Sequence, residues 1–329
     1  MPTALITGIT GQDGSLLADF LLAKGYEVHG VVRRTSSLER SRLKHLYIDP
    51  VIYKKSLFLH YADLEDVTVL RRILVSIKPT ELYHLAGQSH VGLSFEIPET
   101  TSNLTAMATL RLLEIIRDLS SPPRLFHPSS SEIFGEPIQW PQTEETPFNP
   151  KTPYGCAKAF ATQMVKIYRA SFGLFACNGI MYNHESTRRG ENFVTKKICA
   201  AAAAIKLSHQ KKISLGNLQA ERDWGFAEDY VRGMWLTLQQ AEPNDYLFAT
   251  GQLHTVEDIA RIAFSVVGLR WEDFVEVDSS LLRKSEPVKL VGDASRARNV
   301  LGWKNTVSFE QMIHAMTTDE LEKQSAIKS

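Results

Sequence analysis

Two short patterns in the 329-residue chain are able to do chemistry. Tyr154-Gly155-Cys156-Ala157-Lys158 spaces a phenol and an ammonium four residues apart, which on a helix puts both on one face. An ammonium beside a phenol favours phenolate, so Tyr154 can act as a base closer to neutral pH. Upstream, Pro128-Ser129-Ser130-Ser131-Glu132 closes an apolar run. If that run is extended, Ser130 and Glu132 share one side of it. A hydroxyl there could hold an oxygen being oxidised, and a carboxylate could move protons elsewhere on the same molecule. A Tyr–Lys pair at this spacing is common by chance, and its ordinary meaning is a surface pair. Glu132 could equally be a helix-capping or solvated acid. Position in the fold has to decide.

Gly8-Ile9-Thr10-Gly11-Gln12-Asp13-Gly14 follows an apolar run at the very start of the chain. Glycines in a strand-to-helix turn let backbone approach a pyrophosphate, and the helix start offers free N–H groups and a positive dipole. The next apolar run ends in Val32-Arg33-Arg34, with no acid at its tip. An acid about 20 residues after the glycines would bind a ribose 2′-hydroxyl. Two arginines suit a 2′-phosphate, so NADP is expected. Asp63-Leu64 should lie near the adenine. Leu85-Ala86-Gly87-Gln88-Ser89 is small enough to permit close approach to the dinucleotide.

The elements that position these groups alternate. Strands are expected at Thr3–Thr7, Tyr26–Val32, Leu57–Tyr61, Glu81–Leu85, Arg124–His127 and Phe175–Met181. Helices are expected at Gly14–Lys24, Glu65–Ile77, Pro98–Asp118 and Pro153–Phe172. Such alternation predicts an α/β fold with a doubly wound parallel Rossmann sheet, binding ligands at the carboxyl ends of the strands. After residue 182 the alternation becomes irregular. Residues 1–182 are therefore expected to form the NADP-binding domain and 183–329 mainly a smaller α/β substrate-binding domain. Ile213–Gly216 and Tyr246–Ala249 could return to the main sheet. Later helices are expected at Phe193–Leu207, Val256–Val267 and Phe309–Lys323.

Lys+Arg and Asp+Glu both number 37. A nucleic-acid binder normally carries a basic excess, so none is expected here. Cys156, Cys177 and Cys199 form no Cys-x-x-Cys pair, which predicts neither a disulfide framework nor a metal site and fits a cytoplasmic protein. No run of about 18 apolar residues predicts a membrane span.

Taken together, Gly8, Gly11 and Gly14 with Tyr154 and Lys158 resemble the paired signature of the extended short-chain dehydrogenase/reductase family. Further segments resemble the GDP-mannose 4,6-dehydratases within it: Ala4–Ser15, Arg33–Ser37, Asn183-His184-Glu185-Ser186, Arg188-Arg189-Gly190, Phe193-Val194-Thr195 and Arg222–Ala227. The resemblance implies Ser130, Glu132, Tyr154 and Lys158 as the catalytic set. It places His184 and Arg189 by NADP. Asn183, Lys197 and Arg222 would face the GDP-sugar, with Ser89, Glu185, Arg283 and Glu286 completing that wall. It implies a homodimer or homotetramer in which Arg33–His45 reaches a neighbouring subunit. The chain departs from the family pattern at Ser130 (usually Thr), Gly87 (usually Ala), Thr100 (usually Tyr) and Arg283-Lys284-Ser285-Glu286 (usually Arg-Pro-x-Glu). The implied reaction is a redox-neutral dehydration. A reductase for the 4-keto-6-deoxy sugar, an epimerase, a related GDP-heptose substrate and a non-enzymatic NADP-binding scaffold are the alternatives.

Overall fold

The computed structural model describes residues 1–34, 41–281 and 289–326. The first half runs β1 (Thr3–Thr7), α1 (Gln12–Ala23), β2 (Glu27–Val32), α2 (Lys44–Tyr47), β3 (Leu57–Tyr61), α3 (Val67–Ile77), β4 (Glu81–His84), α4 (Pro98–Ser102), α5 (Ala108–Arg117), β5 (Arg124–Ser130), α6 (Pro153–Phe172) and β6 (Ala176–Met181). The second half runs β7 (Asn183–Glu185), α7 (Val194–Lys206), β8 (Ile213–Leu215), β9 (Glu221–Arg222), β10 (Trp224–Phe226), α8 (Ala227–Leu238), β11 (Tyr246–Phe248), β12 (His254–Thr255), α9 (Val256–Val266), β13 (Val275–Val277), α10 (Ser295–Leu301) and α11 (Phe309–Ala326).

Seven parallel strands form one sheet in the order β11-β6-β5-β4-β1-β2-β3. Side chains alternate across a strand, and the two faces of this sheet feed separate cores. Ala4, Ile6 and Phe126 join one core with Leu17, Tyr230, Phe248 and Trp303. Leu5 and Leu125 join the other with Leu74, Leu112 and Val165. Burial on both faces is why these strands read as continuous apolar runs rather than alternating ones. A third core, built by α7, α9 and α11 around Trp224, Phe264 and Ile313, lies wholly in the second half.

Of the two segments expected to return to the main sheet, Tyr246–Phe248 does so, beside β6. Ile213–Leu215 does not; it pairs with β13 and packs into the third core. Both ends of the pair are short and apolar, so the sequence pattern cannot choose the partner. The long helix expected over Pro98–Asp118 is interrupted by a π-helical turn at Asn103–Met107. No Pro or Gly marks it, and apolar spacing does not reveal it. Helix α8 lies in a stretch read as irregular, and it packs along α1 through Val231 and Tyr230 in the first core.

Candidate active site

Backbone comes first. Gly8 turns with φ +74°, and a Cβ there would lie 2.7 Å from the Ala86 nitrogen. A Cβ on Gly14 would lie 2.3 Å from the Gly8 carbonyl and 2.6 Å from Ile9 Cα. Both positions therefore require glycine, because the obstructing atoms are backbone. Helix α1 opens at Gln12 with no side-chain cap on Gly11. The first N–H groups of a helix have no partner within it, so this turn presents donors and positive dipole to an anion. Ala86 is tied to the same turn by its N–H to Thr7 Oγ1, 3.2 Å. Asp63 accepts from the Glu65 N–H, 3.2 Å, and Leu64 is buried. Arg33 and Arg34 are exposed at the end of β2, and among the described residues neither forms an ion pair.

Strand β5 ends the same way, with one correction to the sequence reading. It runs to Ser130, and Ser131–Ile133 is a 3-10 turn. Strand alternation therefore does not bring Ser130 and Glu132 together. The turn does: the Glu132 N–H donates to Ser130 Oγ at 3.2 Å, and both side chains are nine-tenths buried. Helix α6 delivers Tyr154 and Lys158 to this point. It starts with Pro153 and is capped by Thr152, whose hydroxyl accepts from the Gly155 N–H at 2.9 Å. Contrary to the expectation that Lys158 would favour phenolate, burial pushes the Tyr154 phenol up to about 12; the Ser130 hydroxyl opposes that rise, the Glu132 charge adds to it, and Arg189 opposes it.

The lysine differs from its expected role. Its Nζ lies 6.0 Å from the Tyr154 ring centre and donates to the Pro128 carbonyl at 2.6 Å. It makes no hydrogen bond to the phenol among the described residues. Burial lowers its ammonium to about 8, against the raising charge of Asp13. Two further groups went unread in the sequence, His84 and His127 on β4 and β5. Burial, then the Lys158 charge, takes His84 to about 3 and His127 well below its ordinary range. Lys158 thus sits over two neutral imidazoles, with donors left for a ligand beyond the one used on Pro128.

The residues expected to face the sugar lie on or beside small paired strands. Strand β10 lies beside β7, with Trp224 opposite Asn183 and Gly225 opposite His184. Arg222, two residues earlier on β9, is largely buried and donates to the Glu221 carbonyl at 2.6 Å. Its neighbour Asp223 accepts from the N–H groups of Thr250 and Gly251, 2.8 and 2.9 Å, which fixes the β9–β10 corner. Lys197 is exposed on α7 and donates to the Ser214 carbonyl at 3.0 Å. Ser89 is exposed. Gln88 spends its amide within its own turn, donating to the His90 carbonyl and Thr101.

Two charged residues turn out to hold one another. Glu185 is 1% exposed, with Thr195 Oγ1 and Arg189 Nε on its Oε2 at 2.5 and 3.0 Å. That geometry sets it behind Arg189, whose guanidinium stacks on Phe193 at 3.5 Å. His184 Nε2 lies 2.9 Å from Asp13 Oδ2, and its ring stacks on Tyr230. Arg283 and Glu286 lie outside the described residues, as do positions 35–40 of the Arg33–His45 segment. Within that segment, Arg42 donates to the carbonyls of Arg188 (2.7 Å) and Thr10 (3.4 Å), and His45 meets Asp19 at 2.7 Å, all in the same chain.

Among the described residues no helix is long and apolar enough to cross a membrane, and no group of three or more His, Cys, Asp or Glu could hold a metal ion. The family model for GDP-mannose 4,6 dehydratase matches residues 5–316. GDP-mannose 4,6 dehydratase 2 of Arabidopsis thaliana is 53% identical over 97% of this chain and 87% of its own length. The human GDP-mannose 4,6 dehydratase is 44% identical over 97% and 91%. In fold, the chain is similar to the dTDP-glucose 4,6-dehydratase of Streptomyces venezuelae solved with NAD, with a TM-score of 0.85, 23% identity and 98% of each chain covered. With the family model matched over residues 5–316 and relatives 53% and 44% identical over 97% of it, the chain belongs to the GDP-mannose 4,6-dehydratase family.

Proposed function

We propose that this enzyme converts GDP-mannose to GDP-4-keto-6-deoxymannose, with NADP held at the Gly8–Gly14 turn. The observation that carries the reading is the convergence of Ser130, Tyr154 and Glu132 at the end of β5, facing the phosphate-binding turn. A dinucleotide fits the residues present. Its pyrophosphate would lie on the uncapped start of α1, where any Cβ at Gly14 would intrude. Lys158 has donors for the nicotinamide ribose, and the exposed Arg33 and Arg34, without an ion pair among the described residues, suit a 2′-phosphate better than a free hydroxyl.

A nicotinamide held by Lys158 and the Gly8–Gly14 turn would supply reversible hydride transfer between C4 and C6. The protein's own groups handle the protons. Ser130 orients the C4 oxygen, and Tyr154 takes its proton. The C4 ketone acidifies C5–H, and Glu132 removes that proton. Glu132 then gives it to the departing C6 oxygen, which leaves as water. C5 regains a proton from Tyr154, so no reductant and no net proton are consumed. A reductase would need Tyr154 and Lys158 but has no use for an acid–base carboxylate at position 132. The family resemblance further supports a homodimer or homotetramer in the cytoplasm, which light scattering of the purified protein would test.

The test of function is direct. Purified protein is incubated with GDP-mannose and no added reductant, and the sugar nucleotide is followed by mass spectrometry and NMR. A 4-keto-6-deoxy product is expected. Untouched GDP-mannose, with NADPH oxidation on supplying the keto sugar, would establish the reductase instead.

A further inference from the structure

The chain leaving β6 crosses directly over the start of α1, and its side chains divide by direction. His184 and Ser186 turn toward α1, while Glu185, between them, turns away to Thr195 and Arg189. Gln12, the first residue of α1, meets this segment with its side chain. Its amide nitrogen donates to the His184 carbonyl at 3.1 Å and to Asp13 Oδ1 at 3.0 Å. Its amide oxygen accepts from Ser186 Oγ at 3.0 Å. Gln12 and Ser186 are both buried, at 8% and 1% exposure. Asp13 continues the seam to His184, whose other ring nitrogen meets the Tyr182 carbonyl at 2.7 Å. Further along, Arg188 Nη2 donates to Asp19 on α1 at 2.6 Å, and Arg42 ties the Arg188 carbonyl to that of Thr10.

These contacts anchor residues 184–188 to α1 from Gln12 to Asp19, a span of about 10 Å at the helical rise. The segment packs against the first two residues of α1, beside the end that carries the free N–H groups. A pyrophosphate seated there would lie next to it. The chemistry assigned above makes such enclosure harmless, because the dinucleotide is restored in every turnover and has no need to leave. We propose that Gln12 and Ser186 are positioning residues that strap the segment from residue 183 to 189 over the phosphate-binding turn and retain the dinucleotide between turnovers. The Gln12 side chain then serves the strap, leaving its backbone N–H to the phosphate. This inference rests on the dinucleotide reading of the turn.

The test compares wild type with Ser186→Ala, which leaves the buried Gln12 oxygen without its donor. Each protein is loaded with NADPH, passed through gel filtration, and then chased with excess NADP+ while bound NADPH fluorescence is followed. Ser186→Ala should release NADPH about tenfold faster, the ratio expected for losing one buried hydrogen bond. At saturating cofactor its turnover of GDP-mannose should stay within about twofold. A purely structural serine would lower the melting temperature of the cofactor-free protein and leave the release rate alone; that result overturns the proposal. Should Ser186→Ala fail to fold, Asp19→Asn loosens the outer end of the same strap and is read identically, with unchanged release again overturning it. Failure of wild type to bind any NADPH would instead remove the dinucleotide reading itself.

Discussion

The proposed cofactor and sugar sides of the site are built by different means. On the cofactor side, the working parts are missing side chains and free backbone: Gly8 and Gly14 make room, and the uncapped end of α1 supplies donors. All of it sits on the main sheet, whose strands are buried on both faces. On the proposed sugar side, the working parts are charged side chains held by backbone, on or beside strands two or three residues long. Arg222 and Lys197 donate to the Glu221 and Ser214 carbonyls, and the Arg222 corner depends on Asp223. The first design tolerates almost no added atoms. The second tolerates substitution in shape but not in charge.

That contrast can be broken or sharpened by substitution. The largest effect belongs to the chemistry where the two sides meet. Tyr154→Phe should lower kcat by at least about 100-fold, the usual cost of removing a general base, with NADP affinity within about twofold by calorimetry. Gly14→Ala follows. Its Cβ has backbone within 2.6 Å on two sides, so stability should fall by about 3 kcal/mol. NADP affinity should drop with it while any GDP-mannose binding persists; an unperturbed melting curve would show that the cofactor side is not so tightly built. Arg222→Ala should weaken GDP-mannose binding about 10- to 100-fold, the range for a lost charged hydrogen bond, and leave NADP affinity alone. If NADP affinity fell instead, Arg222 would belong to the cofactor side.

The smallest effect is one of pH. Burial brings the Lys158 ammonium down to about 8, well below an ordinary lysine. Its positive charge is therefore present below pH 8 and lost as pH rises through that value. NADPH affinity, followed by fluorescence, should decline a few-fold about that midpoint, and Lys158→Arg should flatten the profile because a guanidinium stays charged.

Much of the cofactor side was legible because its signals are local. Gly8, Gly11 and Gly14 lie in one turn, and Tyr154 and Lys158 lie on one helix. Six strands of the sheet followed from apolar runs of the right length, and the seventh, β11, was one of the two segments expected to return to it. What was not legible depends on where a strand stops or on partners far apart in the chain. Strand β5 ends at Ser130, so a 3-10 turn brings Glu132 to Ser130 where alternation was expected to. The Asp13–His184 and Gln12–Ser186 contacts join residues 171 and 174 positions apart. The resemblance puts Glu185 in the sugar-facing wall, and its burial against Arg189 and Thr195 emerges only once β7 and α7 are packed. His84 and His127 gave no signal, since a histidine in an apolar strand looks the same whether or not a lysine lies above it.

The central claim is that Glu132 carries the C5 proton to the departing C6 oxygen, while Tyr154 and Ser130 serve the C4 oxygen and Tyr154 returns a proton to C5. It is tested most directly by running GDP-mannose turnover in deuterium oxide with wild type and Glu132→Gln, and reading C5 and C6 by NMR. Wild type should place one solvent deuterium at C5 and none at C6, because the hydrogen arriving at C6 is the one that left C4. Glu132→Gln should oxidise C4 yet lose C5 exchange and slow overall turnover by about 100-fold or more. A variant that turns over GDP-mannose near the wild-type rate, with C5 exchange intact, would contradict the account.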